Sequence, residues 1–343
     1  MSMFPSKVVK WYQLHQRDLP WRETKDPYVI WLSEIILQQT RVSQGLPYFE
    51  KFVEKFPTVF DLAKASEEEV LRLWQGLGYY SRGRNLHETA RYIVRELSAE
   101  FPSDYKGLLA LKGVGDYTAA AIASFAYEEA VPVVDGNVFR VLSRYFGITT
   151  PIDSTEGKKE FKALAKDLIE GQQPSLFNQA IMEFGALQCV PKGVDCSVCP
   201  LMESCSAKRK SLVDELPIKA KKIKRTKKYF VYLVDRNEDK VVLEQRKHRG
   251  IWAKMYTFPH VEISSELDAW QQVVQKIENG FSVLDFKKKE LLFRKHVLTH
   301  QDIFYSFIPV RFGALPLETK WYSLADVDRL PLPKLMENYF NNL

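Results

Sequence analysis

A short basic segment divides the chain into two parts whose hydrophobic patterns differ. Residues 206–228 carry ten Lys and Arg side chains against two acids, so their net charge is +8, whereas the rest of the 343-residue chain sums to −2. Such a segment is either a solvated linker or a linker that also lies along a polyanion such as DNA. We therefore expect two domains joined by a basic linker at residues 206–227.

The part before the linker is predicted to be all α. Apolar residues recur there at helical spacing in ten segments, from Val8–Leu14 to Leu176–Leu187, with Pro and Gly between them. After the linker, short β-branched and aromatic runs predict strands at 229–234, 240–245, 290–293 and 302–310, with a hairpin through residues 235–239 and a helix at 266–277. The second domain, residues 228–343, is thus a smaller α+β domain.

No run of eighteen apolar residues occurs, and the first twenty residues lack a continuous apolar stretch. We therefore expect neither a membrane span nor a secretory signal, and a cytoplasmic location.

A Gly-x-Gly turn, Gly113 to Gly115, precedes an alanine-rich helix that is expected to start near Thr118. Both glycines tolerate positive φ, so the turn and the helix N-terminus together predict a site for one phosphate. Taken alone, the pattern is more typical of an ordinary tight turn. Twenty residues after Gly115 a lone acid, Asp135, follows an apolar stretch.

All four cysteines fall within seventeen residues, spaced Cys-x6-Cys-x2-Cys-x5-Cys: Cys189, Cys196, Cys199 and Cys205. Clustered thiols in a chain that is expected to be cytoplasmic favour a metal centre over disulfides. Structural zinc usually uses paired Cys-x2-Cys elements, and only one such pair is present. The spacing favours a [4Fe–4S] cluster over zinc.

Several segments resemble the helix-hairpin-helix DNA glycosylase superfamily, and within it the adenine DNA glycosylase family of the MutY type. They are WLSEIILQQT (31–40), GLGYYSRGR (76–84), LKGVGDYTA (111–119), VDGNV (134–138) and the cysteine loop. The resemblance implies a helix-hairpin-helix glycosylase domain at 1–205, made of a six-helix module (26–134) and an iron–sulfur cluster module (1–25 and 135–205). It also implies a NUDIX-like C-terminal domain at 228–343.

The resemblance implies base excision repair in which adenine opposite 8-oxoguanine (or guanine) is flipped out and hydrolysed from its sugar. Two carboxylates divide that work, as in glycoside hydrolysis. Glu34 matches the acid that protonates adenine, and Asp135 matches the carboxylate that stabilises the oxocarbenium ion, with Asn137 and Tyr117 in support. Related lyases of the endonuclease III type carry a lysine where this chain has Tyr117, so we expect a monofunctional enzyme.

Further roles follow from the matched positions. DNA contacts are expected from Gln39, Thr40, Tyr79, Lys112, Gly113, Val114 and Gly115, although Tyr79 and Tyr80 could also be core aromatics. The adenine pocket is expected to include Arg17, Trp21, Arg22 and Gln179. Recognition of 8-oxoguanine is expected from Thr299 and His300, where Leu298 replaces the aromatic residue of the family's Phe-Ser-His triplet.

The expected partner is duplex DNA containing adenine opposite 8-oxoguanine, bound by a monomer associated with the nucleoid in a bacterium. The C-terminal domain lacks the acidic cluster with which Nudix enzymes bind magnesium, so no pyrophosphohydrolase activity is expected. Two alternatives stay open: an endonuclease III-like glycosylase and lyase for damaged pyrimidines, and a non-catalytic DNA-damage binding protein.

Overall fold

The computed structural model describes residues 3–220, 225–247, 250–267, 269–286 and 291–342. Contacts divide the chain into a helical unit, Met1–Lys64 with Asn85–Lys222, and a C-terminal unit, Ala65–Arg84 with Ile223–Leu343. The predicted six-helix module therefore contributes residues to both units. Because these units are defined by contacts and not by independent folding, the predicted domain boundaries stay predictions.

Helices make up the chain as far as Arg209, and the predicted all-α character of this part is confirmed. They are α1 (Phe4–His15), α2 (Pro27–Leu37), α3 (Val42–Lys55), α4 (Val59–Lys64), α5 (Glu67–Leu73), α6 (Ser81–Glu96), α7 (Tyr105–Leu109), α8 (Asp116–Tyr127), α9 (Gly136–Phe146), α10 (Thr155–Ile169), α11 (Pro174–Leu187) and α12 (Ser206–Arg209). Each of the ten periodic segments overlaps one of them. Within the described part of the chain, no helix is both long and apolar enough to cross a membrane.

The largest core of the helical unit joins the first helix to the later ones. Phe4 and Val8 of α1 are fully buried against residues of α9, α10 and α11, including Phe161 and Phe184, and Leu201 of the cysteine loop joins them. Each buried Phe or Val side chain stabilises the fold by roughly 1.5–3 kcal/mol. The packing holds residues 17–22, which follow α1, beside α11.

The C-terminal unit contains two sheets. Its elements after α5 are β1 (Thr226–Val234), β2 (Lys240–Gln245), β3 (Tyr256–Thr257), β4 (His260–Ile263), α13 (Ala269–Gly280), β5 (Val283–Phe286), β6 (Arg294–Val297), β7 (Gln301–Phe312), β8 (Thr319–Ser323), α14 (Leu324–Val327) and α15 (Lys334–Phe340). The larger sheet has the order β4-β1-β7-β5, with β6 also paired to β7, and the smaller has the order β3-β2-β8. The predicted α+β character is confirmed.

The predicted hairpin between residues 229–234 and 240–245 is wrong. β1 pairs in parallel with the distant β7, from Thr226 opposite Gln301 to Val234 opposite Pro309, and β2 lies in the other sheet. Only a local turn remains, with a single bridge between Arg236 and Val241. The pairing of a strand with one seventy-five residues away leaves no signal in local alternation, which explains the error.

The predicted strand at 290–293 is also misplaced. Glu290 lies outside the described residues, and residues 291–293 are not in a strand. The strand β6 begins only at Arg294, and its Lys295 pairs with Phe304 of β7. The predicted helix at 266–277 corresponds to α13, although Asp268 is outside the described residues, as are residues 221–224 of the basic linker.

Candidate active site

The site begins with Glu34, an acid on a helix that is otherwise apolar. In α2, buried residues occur on all sides, and Glu34 itself is only 5% exposed. A helix that is apolar all round is held inside the fold, so the carboxyl group loses its hydration. Burial raises the pKa of Glu34 to about 7, and the negative charge of Asp135 also raises it, while the Tyr117 hydroxyl and Arg22 act in the opposite direction.

Tyr117, near the start of α8, reaches Glu34 directly. A side-chain hydrogen bond joins the two, and burial together with the charges of Glu34 and Asp135 raises the pKa of Tyr117 well above its usual value. Tyr117 therefore stays protonated, and its hydroxyl donates to Glu34 whenever that acid is ionised. The side chain at this position is thus a phenol and not an amine.

Asp135 caps the N-terminus of α9. Its carboxylate accepts hydrogen bonds from the backbone N–H groups of Asn137 (2.9 Å) and Val138 (2.8 Å) and from Asn137 Nδ2 (2.7 Å). Burial is the largest influence and raises the pKa of Asp135, while these donors lower it. The predicted pairing of Asn137 with Asp135 is thus present, and the cap and the helix dipole favour the ionised form.

Two residues that the sequence did not single out support this acid. Arg140 donates to Asn137 Oδ1 (2.9 Å), to Gly185 O (2.7 Å) and to Cys189 O (2.7 Å), and so ties the start of α9 to the cysteine loop. Asn178 is buried and holds the segment that leads into Asp135, because it accepts from Val133 N (3.0 Å) and donates to Val131 O (2.9 Å).

The predicted adenine-pocket arginines meet on one acid, Glu183. Arg17 Nη2 and Arg22 Nη2 lie 2.6 and 2.8 Å from Glu183 Oε2, whose side chain is 1% exposed. The two guanidinium groups overcome burial and lower the pKa of Glu183 to about 2. Glu183 was not among the residues predicted from the sequence. One feature of the sequence could have indicated it: Glu183 follows Gln179 by four residues, and this spacing places both side chains on one face of α11.

The other two predicted pocket residues are held by aromatic neighbours. Gln179 Oε1 accepts from the Tyr12 hydroxyl (2.8 Å), and the Trp21 ring packs edge-on against Phe49 at 5.0 Å. Arg22 also lies over the Tyr12 ring at 5.5 Å. These contacts fix the arginine-bearing segment next to the helix that carries Gln179.

We predict that Glu183→Gln destabilises the protein by about 3–5 kcal/mol, because it leaves two arginines without their buried counter-charge. The stabilisation by Glu183 is fully present above its unfolded pKa of 4.5 and is lost as the pH falls through about 2. Urea unfolding of both proteins at neutral pH measures the effect. The matched control is Glu88→Gln, which breaks the exposed pair with Lys112 and should cost less than about 1 kcal/mol. Equal effects of the two substitutions would contradict the role of Glu183.

The Gly-x-Gly turn lies between α7 and α8, as predicted, with two corrections. Gly113 has φ +78°, and a Cβ there would meet Asn85 Cβ at 2.8 Å, so glycine is required. Gly115 has φ −96° and open space around its Cα, and it directly precedes α8, which begins at Asp116 and not at Thr118. Only the first glycine thus supplies a positive φ.

The other two residues of the turn are held by local contacts. The Lys112 ammonium pairs with Glu88, and the Val114 N–H closes the turn by donating to Leu111 O (3.1 Å).

Gln39 and Thr40 follow the end of α2. Gln39 is exposed and has φ +56°, a conformation that a non-glycine residue seldom adopts, and the Thr40 N–H donates to Leu37 O (3.0 Å). The turn presents Gln39 to solvent at the end of the helix that carries Glu34.

Within the C-terminal unit, the structure brings Tyr79 and Thr299 together. The Tyr79 hydroxyl hydrogen-bonds the Thr299 hydroxyl, and the Tyr79 ring is 38% exposed. Tyr80, in contrast, is buried, as expected for a core aromatic residue. Tyr79 has φ +47° and follows Gly78 at φ +73°, so this turn is strained. Thr299 and the exposed His300 form the turn between β6 and β7.

Two of the four thiols contact Arg144, and the other three lie close to Cys199. Arg144 Nη1 lies 3.5 Å from Cys189 Sγ, and the Cys205 thiol donates to Arg144 O at 3.5 Å. Cys189, Cys196 and Cys205 all lie near enough to Cys199 to influence its pKa. Among the described residues, no three His, Cys, Asp or Glu side chains stand in a preformed metal-ligating geometry. The donor set, four thiols with no carboxylate or imidazole, is nevertheless the one that iron–sulfur clusters use.

Two family profiles match the chain. Residues 32–170 match the HhH-GPD superfamily of base excision DNA repair proteins, and residues 230–342 match the NUDIX domain. A solved structure of a thermostable thymine-DNA glycosylase is 32% identical, with a TM-score of 0.57 over 61% of this chain and 96% of that one. An endonuclease III–DNA complex, 21% identical with a TM-score of 0.53, shows the likeness of fold alone.

Curated relatives extend over nearly the whole sequence. The chain is 31% identical to an adenine DNA glycosylase of Buchnera aphidicola (subspecies Schizaphis graminum), covering 97% of this chain and 96% of that protein. It is 43% identical to adenine DNA glycosylase of Homo sapiens over 63% of this chain and 41% of that protein. Because the chain has the helical HhH-GPD fold, the NUDIX-like unit and these relatives, it belongs to the adenine DNA glycosylase family of base excision repair enzymes.

Proposed function

We propose that this DNA glycosylase removes adenine paired with 8-oxoguanine, or with guanine, and leaves an abasic site. The observation that carries the proposal is the pair of carboxylates in the helical unit: a buried Glu34 with a pKa of about 7, and Asp135 held by three hydrogen-bond donors. A protein that only binds DNA has no use for two carboxylates near its anionic ligand.

Glu34 acts as the general acid. Breaking the bond between adenine and its sugar leaves negative charge on the base, which a proton delivered to the ring relieves. At neutral pH a carboxyl group with an ordinary pKa has already lost its proton, whereas burial keeps a large fraction of Glu34 protonated. The flipped base has to enter the helical unit to reach this acid.

Asp135 stabilises the positive charge that develops on the sugar. The donors around it are fixed before the reaction, so the ionised carboxylate needs no reorganisation as the cation forms. Asn137 orients Asp135, and Tyr117 holds Glu34. Arg17, Trp21, Arg22 and Gln179 form the adenine pocket, with Glu183 fixing the two arginines.

Duplex DNA is the partner of the remaining predicted residues, and we propose that the enzyme acts as a monomer. The turn formed by Lys112, Gly113, Val114 and Gly115 binds a phosphate of the backbone with the N-terminus of α8. In the helical unit, Gln39 and Thr40 enter the duplex beside the lesion. In the C-terminal unit, the exposed Tyr79 ring stacks at 8-oxoguanine. The contact between Tyr79 and Thr299 supports joint recognition of 8-oxoguanine by these two residues and His300.

The test is incision of four duplexes with a central adenine or thymine: adenine opposite 8-oxoguanine, guanine or thymine, and thymine opposite guanine. We predict cutting at adenine opposite 8-oxoguanine and guanine, and only after hot alkali, because Tyr117, which hydrogen-bonds Glu34, offers a phenol and no amine nucleophile. A product cut without alkali, or an adduct trapped by borohydride, would contradict the monofunctional assignment. Loss of that adduct in Lys112→Ala would then identify the lysine responsible. Preferential cutting at thymine would contradict adenine as the substrate.

Cys189, Cys196, Cys199 and Cys205 would hold a [4Fe–4S] cluster, whose role when bound is to fix the shape of the loop that Arg140 and Arg144 attach to α9. We predict that purified protein is brown and that Cys199→Ser loses the visible absorption together with thermal stability. Ser197→Ala, two residues away and outside the ligand set, is the matched control and should keep both. Colourless protein that contains one zinc ion would contradict the cluster.

A further inference from the structure

A pocket of about 470 Å³ lies in the helical unit, at the opposite end of α2 from Gln39. Its walls come from the start of α2, the turn before α4, the segment after α6 and the end of α8. The side chains that matter here are Asp26, Tyr28, Phe60, Glu100, Phe101 and Tyr127. Asp26 precedes Glu34 by eight residues, about 12 Å along the helix axis, so this pocket is separate from the proposed active site.

Four aromatic rings line the pocket, and two of them are held rigidly. The Tyr28 hydroxyl donates to Phe56 O at 2.6 Å, and the buried Trp31 ring supports Tyr28 at 6.3 Å and Phe101 at 5.5 Å. Phe60, in contrast, is 47% exposed at the rim. Aromatic faces carry negative charge density, so a rigid set of them attracts a cation.

The charged groups that line the pocket are acidic. Asp26 and Glu100 are exposed there, and among the described lining residues none is Lys, Arg or His. After burial, the charges of Asp61 and Asp26 raise the pKa of Tyr28, and Asp26 also raises that of Tyr127. The field in the pocket is thus negative, which repels DNA phosphates and favours a positively charged ligand.

The backbone at one wall is strained. Ser98 and Ala99 have φ +54° and +65°, so two consecutive non-glycine residues adopt the left-handed conformation. The Ala99 and Glu100 N–H groups are both satisfied, by Ile93 O and Leu97 O at 2.9 Å. The tight turn sets Glu100 and Phe101 side by side, one contributing a carboxylate and the other an apolar wall.

We infer that this pocket binds an arginine-bearing segment of a partner protein. A guanidinium group is planar, so it can stack on an aromatic face and pair with a carboxylate at the same time, which an ammonium group does less well. The volume falls within the range of sites that enclose drug-sized ligands, which leaves room for an arginine with its neighbouring side chains. Because the rim is acidic while the proposed DNA contacts are elsewhere, such a partner and DNA can be bound together.

The test uses fluorescent heptapeptide mixtures with a fixed central residue and varied flanks, titrated against the full-length protein. The central residue is either Arg or citrulline, which has nearly the same shape but no charge. We expect Arg mixtures to bind saturably and at least about tenfold more tightly than citrulline mixtures. Phe60→Ala and Glu100→Lys should each weaken Arg binding by about tenfold.

Matched controls separate the pocket from the rest of the surface. Tyr92→Ala removes an equally exposed ring on α6, and Glu96→Lys reverses an exposed charge on the same helix, so neither should affect peptide binding. Adenine excision by Glu100→Lys should stay within about twofold of wild type, which shows that the variant is folded. Equal binding of Arg and citrulline mixtures, no saturable binding, or displacement of the peptide by duplex DNA would overturn the inference without affecting the proposed glycosylase function.

Discussion

Glu34→Gln is expected to lower the single-turnover rate of adenine release by about 10²- to 10⁴-fold, the usual contribution of a general acid. Gln keeps the size and much of the hydrogen bonding of Glu, but it has no proton to deliver. Glu50→Gln, an exposed position on α3, is the matched control and should leave the rate unchanged. Comparable rates for wild type and Glu34→Gln would remove Glu34 from the proposed chemistry.

The pH dependence of the wild-type rate is a second test of the role of Glu34. With a pKa of about 7, Glu34 is mostly protonated below that pH, so the rate should fall by about tenfold per unit above it. Asp135 must be ionised, so the rate should also fall at low pH. In Glu34→Gln the decline above pH 7 should be absent. A wild-type rate that stays level from pH 6 to about 9 would contradict the assignment.

The same substitution should stabilise the protein. The pKa of Glu34 is raised in the folded state, so the folded protein holds the proton more tightly than the unfolded chain does. The contribution of Glu34 to stability is therefore most favourable below its unfolded pKa of 4.5 and is lost as the pH rises through about 7. At pH 8 the ionised, buried carboxylate costs about 3 kcal/mol, which Gln avoids. A variant that is inactive yet more stable at pH 8 distinguishes loss of chemistry from loss of fold.

Asp135→Asn is expected to lower the rate by about 10³-fold, because it removes the negative charge that faces the sugar cation. The fold should be preserved, since Asn caps a helix as well as Asp does and can still accept from Asn137 N and Val138 N. Asp104→Asn is the matched control. Asp104 caps α7 through Gly107 N at 2.7 Å, so its replacement tests the cap without the site.

DNA binding by Asp135→Asn should equal or exceed that of wild type, because one negative charge near the DNA is removed. Measurements of DNA affinity and of thermal unfolding therefore distinguish a catalytic role of Asp135 from a purely structural one. A rate loss that is accompanied by an equal loss of affinity or of stability would show that Asp135 acts as a structural cap alone.

The helices were predictable because their burial is periodic and local. In α1 and α10 the buried apolar residues recur at helical spacing, and the helix ends carry their own signals, such as Asp26 at the start of α2. The strands were harder. β1 and β7 pair in parallel across seventy-five residues, and a local pattern shows neither the partner nor the register.

The site was predictable where a residue belongs to a recognisable segment, and not where its role depends on a distant contact. Glu34, Tyr117 and Asp135 were found in this way, and the structure places Tyr117 and Asp135 close enough to Glu34 to shift its pKa. Glu183 became evident only once the packing of α1 placed Arg17 and Arg22 beside α11. Asn178 likewise resembles any polar helical residue until its partners at 131 and 133 are seen.

The most direct test of the two-carboxylate account is the identity of the base released in a single turnover from a duplex with adenine opposite 8-oxoguanine. Chromatography of the supernatant should show free adenine, in an amount equal to the abasic strand, with wild type and with Asp104→Asn. Asp135→Asn and Glu34→Gln should release almost none in the same time. Release of a pyrimidine or of 8-oxoguanine, or full release of adenine by either carboxylate variant, would contradict it.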